Sequence, residues 1–187
     1  MRLNRLRKTI ALSIMASVLL CAPTQALESV VKRTTLLVSN IEQSMVFYEA
    51  IGFSVWLDRG GDRDPEGGDL PLNAKPTQSR IAIMQGQHED WAMIGLLQYD
   101  NPPLPWTRDP DNPTIGTSDA VLVIVTNDIA QAYENLLAIN ATILKPPRAY
   151  TSNSVNGRKE GAIMFFQDPD GNVIEMTEVY SLTPYGE

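Results

Sequence analysis

One cysteine, one histidine and a deficit of basic residues bound the chemistry of this 187-residue chain before any motif is read. The cysteine, Cys21, lies in an N-terminal segment laid out like a secretory signal. Arg2, Arg5, Arg7 and Lys8 come first, an apolar run over 9–22 follows, and small residues then lead to Ala26. Cleavage after Ala26 removes the thiol. The mature chain of residues 27–187 is then expected to lack disulfides, a cysteine nucleophile, Cys-ligated zinc and iron–sulfur clusters. Leu20 is too bulky for lipid attachment at Cys21, and no second apolar run follows. The expected location is therefore the periplasm or the exterior, with no membrane association after cleavage and an uncleaved anchor as the alternative. Of 15 Lys and Arg, the four in the leader are lost, leaving 11 against 22 Asp and Glu and a net charge of −11. Such a surface repels nucleic acid, which is excluded as a partner.

The histidine, His88, sits in a short loop beside Glu89 and Asp90 and reads as solvated rather than as a ligand. With one base at most, and no nucleophile elbow, a serine–histidine triad has no support. Asp62, Asp64, Glu66 and Asp69 crowd four carboxylates together, but their spacing is not that of an EF-hand, and a solvated acidic loop is expected. Aromatic residues make up only 7% of the chain, so the placement of Trp56, Trp91 and Trp106 matters. Phe47 and Tyr48 belong to a helix and are expected to pack it on its sheet. Trp106, in the proline-rich NPPLPWTRDP, is the pocket-lining candidate, and it is equally suited to cover a dimer interface.

The most informative stretch is residues 165–178, FFQDPDGNVIEMTE. Asp168, Pro169, Asp170 and Gly171 have the residue types of a tight turn, with φ preset by proline and positive φ tolerated by glycine. An apolar run precedes the turn and an alternating one follows, so a β-hairpin is predicted. On its second strand Val173, Glu175 and Thr177 share one face while Ile174 and Met176 share the other. Glu175 thus stands among apolar neighbours, on a face that either lines a cavity or is solvated.

The chain also repeats itself. A strand over 33–38, a helix over 41–51 and a strand over 53–57 match a strand over 120–125, a helix over 129–139 and a strand over 141–144. Asn40 and Asp128 are the helix N-caps, and Gly52 and Asn140 are suited to positive φ at the ends. Each half closes with a hairpin, residues 80–84 with 92–99 and residues 161–166 with 172–179, giving β-α-β-β-β twice. Module one spans about 30–99 and module two about 120–180. Between them residues 100–119 hold five prolines and read as a surface linker, while 58–79 is a second irregular stretch.

Two βαβββ halves, opening with LLVSNIEQSMVFYEAIGF and closing with FFQDPDGNVIEMTE, resemble the vicinal oxygen chelate (VOC) superfamily. That superfamily includes glyoxalase I, bleomycin-resistance proteins and extradiol dioxygenases. The resemblance covers roughly residues 30–179. It implies an α+β fold in which the two modules form a curved mixed sheet around a cup, often completed by a partner subunit, so a homodimer is expected. It also implies metal ligands on the first and fourth strands of each half, holding a divalent ion that acts as a Lewis acid. Carried over residue by residue, the last-strand ligand falls on Glu175, the fourth strand of the first half on Gln98, the first strand on Arg33, and its counterpart on Ala120 or Val121. Arginine has no lone pair to give, and alanine or valine has no donor atom.

A small-molecule ligand held in the cup by Arg33, Gln98, Glu175 and Trp106, with no metal cofactor, is the primary expectation. Arg33 either neutralises Glu175, binds an anionic group of the ligand, or reaches the rim and is solvated. If a divalent metal binds, Gln98 and Glu175 are its ligands. The alternative is a metal-dependent lyase or isomerase of the lactoylglutathione lyase type with Glu175 as catalytic base.

Overall fold

In a computed structural model, residues 29–68, 70–88, 90, 92–107, 109 and 111–186 are described. Residues 1–26, where a secretory signal is expected, with Cys21, and Trp91 lie outside them. Ten elements follow in chain order: β1 (Arg33–Leu37), α1 (Ile41–Ala50), β2 (Ser54–Asp62), β3 (Gln78–Gln85), β4 (Met93–Asp100), β5 (Val121–Val125), α2 (Ile129–Ala138), β6 (Thr142–Ser154), β7 (Gly157–Gln167) and β8 (Val173–Thr183). They form two four-stranded mixed sheets, ordered β1-β4-β3-β2 and β5-β8-β7-β6. Each sheet has one parallel pair, β1 with β4 and β5 with β8. β2 continues to Asp62, five residues beyond the expected strand, so the irregular stretch that follows is shorter than its composition suggests. Neither helix is long and apolar enough to cross a membrane.

The helices form where the caps are. Asn40 Oδ1 accepts from the Gln43 amide at 3.1 Å and Asp128 Oδ1 from the Gln131 amide at 2.8 Å, each satisfying an otherwise unpaired donor of the first turn. Gly52 and Asn140 take positive φ, 97° and 56°, which releases the chain into the next strand. Each helix covers one face of its own sheet. The core between them contains Tyr48, Met84, Leu96, Leu136, Met164, Phe166, Ile174 and Met176, all fully buried. Full burial of a side chain such as Phe166 is worth about 2–3 kcal/mol.

The modules are locked together through the 168–171 turn. Asp170 Oδ1 accepts from the Ser39 amide at 2.9 Å and the Ser39 hydroxyl at 2.6 Å, and the Tyr48 hydroxyl donates to Asp168 Oδ2 at 3.1 Å. Asp168 Oδ1 also receives the amides of Asp170 and Asn172, so the turn is held from both modules. Asn135 Nδ2 donating to the Ala50 carbonyl and the Phe47–Phe166 ring contact complete the junction.

Candidate functional site

Because one face of each sheet is covered by its helix, the other face is the open one. Strand parity assigns Arg33, Thr35 and Leu37 of β1, with Met93, Gly95, Leu97 and Tyr99 of β4, to the open face of the first sheet. The same rule assigns Val121, Val123 and Val125 of β5, with Val173, Glu175 and Thr177 of β8, to that of the second.

Register fixes how the two halves correspond. Thr35 pairs with Gly95 as Val123 pairs with Glu175, and Arg33 pairs with Met93 as Val121 pairs with Val173. Arg33 stands seven residues before the Asn40 cap and Val121 seven before the Asp128 cap, so Val121, rather than Ala120, is the counterpart of Arg33. The counterpart of Glu175 is Gly95, which corrects the expectation for Gln98. Gln98 lies three residues further along, an odd step that turns it to the helix side. There its Oε1 accepts from the Ile41 amide at 2.7 Å, and its Nε2 donates to Asp100. Glu178 does the same in the second half, its Oε2 accepting from the Ile129 amide at 3.0 Å. Gln98 is therefore a helix cap and is turned away from the open face.

At Gly95 the absent side chain is replaced by a neighbour. A Cβ there would come within 3.0 Å of Arg33 Cδ and 2.9 Å of Thr35 Oγ1, so the stem of Arg33 lies across the glycine. Arg33 Nε donates to Thr35 Oγ1 at 3.0 Å. Glu175 is half-buried between Val123 and Phe165 and makes no hydrogen bond or ion pair among the described residues. Arg33 and Glu175 thus form no ion pair. Nor do the described residues gather three His, Cys, Asp or Glu side chains as a metal-ligating cluster.

Two cavities border the open faces, and the linker walls both. The first, about 370 Å³, is lined by Leu37, Ser39, Tyr99, Trp106, Asp170 and Asn172 among others. Trp106 is 54% exposed there, next to the interlocking turn and apart from Glu175. The second, about 490 Å³, lies on the second sheet between Pro113 and Ile115 of the linker and Lys145, Arg148, Phe165 and Val173. The sequence reading missed Lys145 and Arg148. The signal for them was the pair of prolines between them, which interrupts strand alternation.

The sequence matches the Glyoxalase/Bleomycin resistance protein/Dioxygenase superfamily over residues 30–176, and the chain belongs to that superfamily. Among solved structures, a glyoxalase family protein from Bacillus cereus superposes with a TM-score of 0.62 at 14% identity, covering 86% of this chain and 100% of the other. A V278E glyoxalase I mutant from Zea mays gives a TM-score of 0.52 at 20% identity, over 82% of this chain and 45% of that one. TnmS3, an antibiotic-binding protein from Streptomyces sp. CB03234, shares 22% identity over 83% of this chain and 98% of its own, with a TM-score of 0.47. The first two likenesses, with the match over residues 30–176, establish the fold. Among curated proteins, none matches.

The resemblance implies a divalent metal held by two positions in each half. Here those positions are Arg33, Gly95, Val121 and Glu175. Only Glu175 offers a lone pair, and the guanidinium stem of Arg33 fills the space over Gly95. The donor set does not fit the metal.

Proposed function

We propose that this protein is an exported small-molecule binder whose ligand lies on the open sheet faces, without the metal centre implied by its resemblance to metal-dependent relatives. The observation that supports this reading is Arg33 laid over Gly95, a fixed cation where a fourth-strand ligand would otherwise project. Export rests on the basic, then apolar, then small-residue order of residues 1–26. A homodimer is part of the same reading. β5 is an edge strand, and Val123 and Val125 on it are 62% and 71% exposed, an apolar edge suited to cover by a second copy.

The neutral fluorophore N-phenyl-1-naphthylamine tests the reading on the mature chain. Saturable one-to-one binding that is indifferent to EDTA is expected; no saturable binding, or binding abolished by EDTA, would contradict it. The lyase alternative draws on Glu175, a half-buried carboxylate with no partner among the described residues and so placed to take a proton. Turnover of the methylglyoxal–glutathione hemithioacetal on addition of nickel or zinc would favour that alternative.

A further inference from the structure

The second cavity contains two cations that strand geometry alone would have separated. Lys145 and Arg148 are three residues apart, an odd spacing that puts side chains on opposite faces of a regular strand. Pro146 and Pro147 lie between them and cannot donate to the ladder. β6 accordingly breaks register twice against β7, between Ile143 and Lys145 and again between Lys145 and Arg148. Lys145 ends opposite Phe165 and Arg148 opposite Ile163, two residues apart on one face of β7. The double irregularity therefore brings both cations to the same side of the sheet.

Both side chains line the cavity of about 490 Å³, whose other walls are Pro113, Ile115, Leu144, Phe165 and Val173. Neither makes an ion pair or hydrogen bond among the described residues, although the mature chain carries twice as many acidic as basic residues. In so acidic a molecule, two adjacent cations without carboxylate partners form a local site for an anion. The wall beside them is apolar and aromatic. Glu175, opposite Phe165 on the side away from Lys145, lies roughly 10 Å from the β6 backbone by the spacing of two strands.

We infer that this cavity binds an organic anion, with a carboxylate, sulfonate or phosphate held between Lys145 and Arg148 and an apolar or aromatic body lying on Phe165 under Pro113 and Ile115. The guanidinium fork gives two parallel hydrogen bonds to an oxyanion, and the ammonium adds a third contact. Repulsion from Glu175 sets the polarity of the ligand, with its negative end towards β6. This deepens the small-molecule reading above and rests on it.

The test compares two probes of nearly the same shape on the mature protein: 8-anilinonaphthalene-1-sulfonate, which carries the anion, and neutral N-phenyl-1-naphthylamine. The sulfonate is expected to bind one-to-one and more tightly. The double variant Lys145→Gln, Arg148→Gln is expected to weaken the sulfonate by at least roughly tenfold and the neutral probe by much less, so that the preference for the sulfonate is lost. Both substituted side chains are exposed, so the variant should melt at the parent temperature, checked by circular dichroism. If the neutral probe binds and the sulfonate is no tighter, or is unaffected by the double variant, the anion assignment is overturned while small-molecule binding stands. If neither probe saturates, both readings fall.

Discussion

Asp168 has four donors around it and is still short of water. Its oxygens receive the Tyr48 hydroxyl, the Asn172 side-chain amide and the backbone amides of Asp170 and Asn172. Burial outweighs them and raises the carboxyl above its ordinary value of 3.8, with the charge of Asp170 adding to the rise. Tyr48 is raised as well, chiefly by burial and then by Asp168. Because the folded pKa of Asp168 exceeds the unfolded one, its stabilising contribution is fully present below the unfolded value and is lost as pH rises through the folded value. Asp168→Asn removes this titration. Its destabilisation relative to the parent is therefore expected to shrink as pH rises above the ordinary carboxyl value, as measured by urea unfolding. Tyr48→Phe removes one hydrogen bond to a buried acceptor and is expected to lower stability by about 2 kcal/mol at neutral pH. A loss near zero would mean that the turn does not depend on the link from α1.

At the scale of elements, both helices are capped twice. One cap comes from the residue before the helix, and the other from the strand that runs beneath it, Gln98 for α1 and Glu178 for α2. Gln98→Ala is expected to cost about 1 kcal/mol of stability and leave naphthylamine binding unchanged, by chemical denaturation and fluorescence titration. Weakened binding at unchanged stability would return Gln98 to the ligand site. Glu178 adds a carboxylate charge to the positive end of α2, so Glu178→Gln is expected to lose about 0.5 kcal/mol, less at high salt. The paired N-caps, the hairpin around 168–171 and the two-fold repeat were legible in the sequence because each is written in local residue types. The face of Gln98 was not. The halves differ in loop length before β4 and β8, and a slip of three residues reverses a side chain. Pro146 and Pro147 mark an interruption beside Lys145 and Arg148, but that it brings both cations to one face follows only once β6 is paired with β7. Ser39 and Tyr48, which bond the buried Asp170 and Asp168, lie more than a hundred positions away from them, a link that no local pattern records.

For the whole molecule, two sheets share a core of helices and a locked turn, and their outer faces stay open. Val123 and Val125 stand side by side in parity on the edge strand β5 and are 62% and 71% exposed. Val123→Asp places a charge on the exposed edge strand. It is expected to convert a dimer to a monomer in sedimentation velocity without lowering the melting temperature of the fold; an unchanged sedimentation coefficient would remove β5 from any interface. The central claim concerns the open faces themselves, where Arg33, Gly95 and Val121 stand at three of the four positions that would hold a metal. The direct measurement is the metal content of the chain over residues 27–187, equilibrated with nickel, zinc, cobalt and manganese, desalted and analysed by mass spectrometry. Well below one ion per chain, unchanged by Glu175→Gln, is the predicted result; one tightly held ion per chain that disappears with Glu175→Gln would contradict it.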